Sequence, residues 1–289
     1  RVPPAVSAYV GSDILAGVVA SGMATAIQAG SAVPALLIDI GTNGEIVLAH
    51  GDRLIACSTA AGPAFEGAQI ACGVGGVAGA IDKVFRAGQD LSYTTILESP
   101  PLGFCGAGIV DLLALLLDTG IVDETGRMIT REEAARQGHP FAEWLITYDD
   151  EPAFQLVGAE KSATGMPIIL TQQDVREIQL AKAAIAAGIR TLLKTSGLSF
   201  GDIQTLYLAG GFGNYLDPRS AARIGLIPQE LEGKIQSIGN AAGMGASLAL
   251  LSEKSFSLFQ RVRERTSYIE LSSSAEFQEL YVEEMLFPT

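Results

Sequence analysis

Asp39, Gly41, Thr42, Asn43, Gly44 and Glu45 stand together where one apolar run ends and the next begins. Leu36-Leu37-Ile38 leads into this segment, and Ile46-Val47-Leu48 follows it at once. Asn43-Gly44 between two such runs is the strongest short-range signal for a β-hairpin. A Gly-rich tip can turn backbone N–H groups toward an anion, so Gly41, Thr42, Asn43 and Gly44 are predicted phosphate donors, with Glu45 closing the tip. A carboxylate at a strand end suits a hard, hydrated cation. Asp39 is therefore predicted to orient Mg²⁺ through water.

A second constellation lies far along the chain. Leu206-Tyr207-Leu208-Ala209 reads as a buried strand, and Gly210-Gly211-Phe212-Gly213 follows directly. Glycines at such a position let a flat ligand pack on the backbone. Gly106 and Gly108 open an apolar helix, whose N–H groups and dipole can hold an anion. No G-x-x-x-x-G-K-[ST] segment occurs, which disfavours a P-loop NTPase. Gly73-Val74-Gly75-Gly76-Val77-Ala78 fits G-x-G-x-x-A, but no strand–helix–strand frame surrounds it. It is read instead as part of a small-residue helix over 67–85.

The elements that must position these groups follow from periodicity. A short strand and a helix are predicted over 5–30, with Ser12-Asp13 as the cap and Gly30 as the stop. Strands are predicted at 36–40, 45–49, 53–58 and 94–98. Ile109, Leu112, Leu113 and Leu116 mark one face of a helix over 106–118. A charged helix is expected near 130–137. Strands follow at 154–157 and 167–170. The clearest helix is 172–195, which opens on a capping-box-like Thr171 and Asp174. Asp217-Pro218 starts another helix, with Pro in its first turn. Residues 235–238, 241–251, 255–265, 267–271 and 275–285 alternate strand, helix, helix, strand, helix. Strands that cluster and then alternate with helices, twice over, predict two α/β lobes with mostly parallel sheets. The polar stretch around Asp149-Asp150-Glu151-Pro152 sets the expected boundary, giving lobes 1–150 and 151–289. A ligand shared by the two Gly-rich segments would then sit between lobes, at strand C-termini.

Composition narrows the partners. The 289 residues are 48% apolar and 18% charged, as expected of a soluble globular protein. A net charge of −13 without a Lys/Arg run disfavours nucleic acid. The apolar stretch from Ile14 to Ile27 is too short to span a bilayer, and Arg1-Val2-Pro3-Pro4 lacks a secretory pattern. No membrane partner is expected. Cys57, Cys72 and Cys105 show no C-x-x-C spacing and are read as reduced, packed thiols of a cytoplasmic protein. The missing initiator Met fits a piece of a longer chain.

The two Gly-rich segments together resemble the acetate and sugar kinase, Hsp70 and actin superfamily (ASKHA). There an Asp-x-Gly-Thr hairpin holds phosphates and Mg²⁺, and a hydrophobic-x-Gly-Gly segment holds adenosine. A closer resemblance is to the C-terminal domain of the reductive activators of corrinoid proteins. It rests on 38–45, on Ala61-Gly62-Pro63-Ala64-Phe65-Glu66-Gly67-Ala68, on Gly103-Phe104-Cys105-Gly106-Ala107-Gly108-Ile109-Val110-Asp111, on Gln179-Leu180-Ala181-Lys182-Ala183-Ala184, and on Leu208-Ala209-Gly210-Gly211-Phe212-Gly213-Asn214-Tyr215. Residues 67–78 carry no Arg or Lys, where the family often has a basic residue.

The resemblance implies a two-lobed, actin-like and RNase H-like α/β fold with a nucleotide cleft between the lobes. It implies ATP binding and hydrolysis that drive electron transfer to a Co(II) corrinoid protein. The electron would come from a 2Fe–2S cluster in an N-terminal domain absent here. Gly210, Gly211, Phe212 and Gly213 would border adenine or ribose, and Glu66 would position the hydrolytic water. Phosphoryl transfer rests mostly on positioning and charge stabilisation, so no strong base is required. A homodimer is also implied. Two alternatives remain: a small-molecule kinase of the superfamily, with Asp111 or Glu66 as base, and a non-catalytic nucleotide-dependent interaction module.

Overall fold

The computed structural model describes residues 3–30, 32–88 and 90–289. The Arg1-Val2 start of the leader reading lies outside the described residues. The chain forms two compact units, neither of them a consecutive half of the sequence. Unit 1 runs to Ala60 and resumes over Ala184–Asn214 and Ile227–Glu283, while unit 2 comprises Ala61–Ala183, Tyr215–Leu226 and Glu284–Thr289. The expected boundary at 150 falls inside unit 2. Its polar residues are a hairpin tip, and Asp149 and Asp150 both take left-handed backbone angles, φ 48° and 64°. Such a turn matches the twist of the strands it joins.

Unit 1 is built on a six-stranded sheet of order β11-β10-β1-β2-β3-β12. Its strands are β1 (Ala32–Ile40), β2 (Gly44–Gly51), β3 (Arg53–Thr59), β10 (Thr205–Ala209), β11 (Ile235–Gly239) and β12 (Thr266–Tyr268). The first three form an antiparallel meander, and β10 and then β11 extend it in parallel from β1. β12 adds to β3 in parallel. The sheet is thus mixed, with three parallel pairings around a two-pairing antiparallel centre. The strands expected to build a second lobe, β10 and β11, complete the first.

Both faces of β1 are covered, which is why Leu36, Leu37 and Ile38 are all fully buried. Leu37, Val47, Ala49, Leu54 and Ala56 join a core with α1 (Ser12–Ala20), α2 (Met23–Gln28) and α9 (Glu253–Glu264). Each large side chain buried here contributes about 1.5–3 kcal/mol. On the other face lies the C-terminal part of α5 (Gln172–Ser196). A Cβ at Gly188 would stand 2.7 Å from Thr59 and 2.8 Å from Ile46, so only glycine lets this helix reach the hairpin. The remaining helices of unit 1 are α6 (Gly210–Gly213), α8 (Ala241–Leu251) and α10 (Ala275–Glu283). The cap of α1 is Gly11 rather than Ser12-Asp13; Asp13 sits in the first turn, where the helix dipole favours its charge.

Unit 2 carries two three-stranded sheets of order β5-β4-β6 and β7-β8-β9. The strands are β4 (Ala80–Ala87), β5 (Asp90–Thr95), β6 (Gly103–Phe104), β7 (Leu145–Tyr148), β8 (Glu151–Val157) and β9 (Ile168–Thr171). Its helices are α3 (Gly106–Asp118), α4 (Arg131–Arg136), α7 (Pro218–Arg223) and the N-terminal part of α5. The helix expected over 67–85 does not form. Gly67 and Gly79 both adopt φ 83°, and a Cβ on Gly73 would stand 2.1 Å from the Gly67 carbonyl. The glycines serve backbone-on-backbone packing of a turn that precedes β4. The capping box of α5 is present: Thr171 Oγ1 accepts from Asp174 N–H (3.0 Å), and Asp174 accepts from Thr171 N–H (2.8 Å). The three cysteines are free, with Cys57 and Cys105 buried. Among the described residues no helix is long and apolar enough to cross a membrane.

The last residues of unit 2 are clamped by α5. Gln179 donates to the Met285 carbonyl at 2.9 Å, and the fully buried Lys182 donates to that of Leu286 beneath the Phe287 ring. Burial pushes the Lys182 pKa down from 10.5 to about 8, although Glu284 pulls it up. Below pH 8 the lysine is charged in both states, and the fold bears the cost of burying it. As pH rises from 8 toward 10.5 the folded state releases this proton first, so stability rises by about 3 kcal/mol. Because the buried thiols titrate in the opposite sense over part of this range, the check is the difference: the urea midpoint of the wild type should rise with pH relative to that of Lys182→Met, and a difference that stays constant from about pH 7 to 10 would contradict it.

Candidate functional site

Asp39, next to last in β1, pairs with Ala209 across the parallel ladder, so Gly210 begins beside it. Gly210 has φ +86°, and a Cβ there would stand 2.8 Å from Asp39 Oδ1. The two Gly-rich segments, far apart in sequence, therefore meet within unit 1. They do not fall in separate lobes, because β10 joins β1 directly. β11 ends alongside them at Gly239-Asn240, so three parallel strands present their C-terminal ends together. Ligands of α/β sheets bind at such ends.

The hairpin places Glu45 directly across from Asp39. Asp39 is half-buried; burial and then Asp13 push its pKa above the usual carboxylate range. Burial pushes Glu45 up to about 7, and Asp13 and Asp39 add to it. The cluster is short of positive charge. Among the described residues no group of three or more His, Cys, Asp or Glu side chains is placed to hold a metal directly. A hydrated Mg²⁺ that keeps its waters and takes one or two carboxylates fits this donor set, whereas an all-protein cage does not.

The tip itself differs from expectation. Gly41 N–H donates to the Asn43 carbonyl at 3.0 Å, so it is committed within the turn. Gly44 is buried: a Cβ there would stand 2.7 Å from Thr59 Oγ1 and 3.0 Å from Ile185. Its absent side chain serves packing. Thr42 and Asn43 are the exposed residues of the tip.

Around the turn after β10, Gly211 faces open space, Phe212 is half-buried, and Gly213 packs tightly on Leu208. Asn214 accepts from Ser237 Oγ at 2.7 Å, which ties the end of α6 to β11. Sequence reasoning missed Asp13 and Gly239-Asn240, and quoted Asn214 within a family-like stretch without giving it a role. Gly239-Asn240 had a signal, since Ile238-Gly239-Asn240 repeats the strand-then-glycine pattern of Ala209-Gly210.

Glu66, Gly106, Gly108 and Asp111 belong to unit 2. Glu66 is exposed at the end of a short 3₁₀ turn. Gly108 lets α3 press on β4, since a Cβ there would lie 2.2 Å from the Ile81 carbonyl. The first N–H groups of α3, at Ala107 and Gly108, face the Cys105 sulfur; burial still raises that thiol's pKa. Asp111 is buried and accepts from Val84 N–H at 3.2 Å, a structural use of the carboxylate.

A meander extended by parallel strands, with an acid-ended hairpin beside a Gly-Gly turn, defines an actin-like α/β domain of the ASKHA class. The chain belongs to the family described as the C-terminal domain of RACo, the ASKHA domain, whose model matches residues 34–289. It is 40% identical over 254 residues to the corrinoid activation enzyme RamQ of Eubacterium limosum, covering 87% of this chain and 42% of that protein. It is 27% identical to the Co(II) methylated amine-specific corrinoid protein reductase of Methanosarcina barkeri, covering 100% of this chain and 51% of the relative. A solved reductive activator for corrinoid, iron–sulfur protein superposes with a TM-score of 0.89 at 37% identity, over 99% of this chain and 44% of that one. The chain thus spans about half the length of the curated relatives it matches.

Proposed function

We propose that this chain is the nucleotide-driven part of a reductive activator of corrinoid proteins. It binds ATP with Mg²⁺ at the C-terminal ends of β1, β10 and β11, and turnover drives one electron onto a Co(II) corrinoid protein to give Co(I). The observation that carries the site is the meeting of Asp39 with Gly210 on adjacent parallel strands. The names of its relatives support the role. Asp39 orients the hydrated cation, which supplies charge neutralisation for the phosphates. Thr42 and Asn43 face the phosphates, and Gly210, Gly211 and Phe212 border the nucleoside. The electron arises at an iron–sulfur cluster in a part of the protein outside this sequence. Three free thiols fit a reducing, cytoplasmic setting, and the active form is a homodimer.

Asp13, Asp39 and Glu45 repel bare phosphates, so binding should depend strictly on the cation. Calorimetric titration of the full-length protein with ATP should give heat of binding with Mg²⁺ and none with EDTA. Equal affinity in both would overturn the site.

A further inference from the structure

Neighbouring strands of the six-stranded sheet bring three groups into a fixed order. Gly210 follows β10, Asp39 lies near the end of β1, and β2 opens on Gly44 and Glu45. Asp39 Oδ1 turns toward β10, since a Cβ at Gly210 would stand 2.8 Å from it. Glu45 is the cross-strand partner of Asp39 on the other side, so the two carboxylates share one face of the hairpin. Adjacent strands lie about 4.8 Å apart, which puts Glu45 about 10 Å from Gly210 across the sheet. Glu45 is also held firmly. It pairs with Ser58 of β3 on its far side, and Thr59 Oγ1 donates to the carbonyl of the preceding Gly44 at 3.3 Å.

In the nucleotide site proposed above, the nucleoside borders β10 and the cation lies at Asp39. A triphosphate that continues past the Thr42-Asn43 tip then ends at β2, beside Glu45. Glu45 cannot bond to that phosphate directly, because a carboxylate and a phosphate oxygen are both acceptors and both negative. What it can hold is a donor, and the donor that hydrolysis requires beyond the terminal phosphorus is water. We propose, resting on that nucleotide site, that Glu45 is the catalytic residue that accepts a hydrogen bond from the attacking water and aims its oxygen at the terminal phosphorus of ATP. The water oxygen bonds to that phosphorus, the bond from phosphorus to the bridging oxygen breaks, and the bridging oxygen leaves on ADP with the electron pair. Both water protons end on the released group, giving ADP and dihydrogen phosphate. Phosphoryl transfer asks mostly for positioning of this kind. Glu66 sits on an exposed 3₁₀ turn of unit 2. Glu45 stands on a strand paired on both sides, where a site residue is placed more precisely.

The test uses the full-length protein with ATP, Mg²⁺ and a Co(II) corrinoid protein. Glu45→Ala should bind ATP–Mg²⁺ as the wild type does in calorimetric titration, while phosphate release falls about 100-fold. Glu45→Gln, whose side-chain oxygen still accepts a hydrogen bond, should restore most of the rate. A readout free of turnover is the affinity for ADP–Mg²⁺ with aluminium fluoride, which mimics the phosphoryl group in transfer. The affinity this adds over ADP–Mg²⁺ alone should shrink about tenfold in Glu45→Ala. Phosphate release by Glu45→Ala at the wild-type rate would overturn the role, and so would a Glu45→Gln as slow as Glu45→Ala. Weakened ATP–Mg²⁺ binding in Glu45→Ala would overturn it too, by placing Glu45 on the cation. A wild type that binds no ATP–Mg²⁺ would instead overturn the nucleotide site on which the role rests.

Discussion

Asp39→Asn should weaken ATP–Mg²⁺ binding at least tenfold, about 1.4 kcal/mol, without weakening the fold. The amide keeps the volume of the carboxyl but cannot carry the charge that orients a hydrated cation. Stability should hold or rise, because the native carboxylate is half-buried and repelled by Asp13. A second readout follows from the ladder. Glu45 faces Asp39, which helps to hold its pKa at about 7. With Asp39 neutral, the Glu45 titration followed by NMR should move to lower pH. A variant that binds ATP–Mg²⁺ normally would remove Asp39 from the site, and one that unfolds would show a structural role instead.

Gly210→Ala should damage both stability and binding. At φ +86° an alanine adopts a left-handed conformation that costs about 1–2 kcal/mol. Its Cβ would also stand 2.8 Å from Asp39 Oδ1, a contact that forces the carboxylate to move. Denaturant midpoints should report a loss of about 1–3 kcal/mol, and affinity should fall with the displaced carboxylate. Gly211→Ala is the control. Nothing lies within 4 Å of a Cβ there, so stability should hold, and any change in affinity reports contact with the nucleotide. Equal stability of Gly210→Ala and Gly211→Ala would contradict the geometry at β10.

Local patterns foretold local structure. The Asn43-Gly44 hairpin, the Leu112/Leu116 face of α3 and the capping box of α5 each depend on residues a few positions apart, and each forms. The failures share one cause, which is that glycine and strand pairing answer to distant neighbours. Gly73 is small because Gly67 lies against it, and Gly44 because Thr59 and Ile185 do. Neither relation shows in a window of sequence. Likewise, β10 looks like the start of a second lobe until its register with β1 is known. The candidate site was legible as two motifs, but their contact was not. Asp13 had no sequence signal, because only the placement of α1 brings its charge to bear on Asp39 and Glu45. Glu66 and Gly106 carried family resemblance yet lie in the other unit.

The most direct measurement is phosphate release from ATP–Mg²⁺ by the full-length protein, with and without a Co(II) corrinoid protein. Release should increase when the corrinoid protein is added, and the increase should vanish in Asp39→Asn. Release indifferent to the corrinoid protein, or undiminished in Asp39→Asn, would contradict the account.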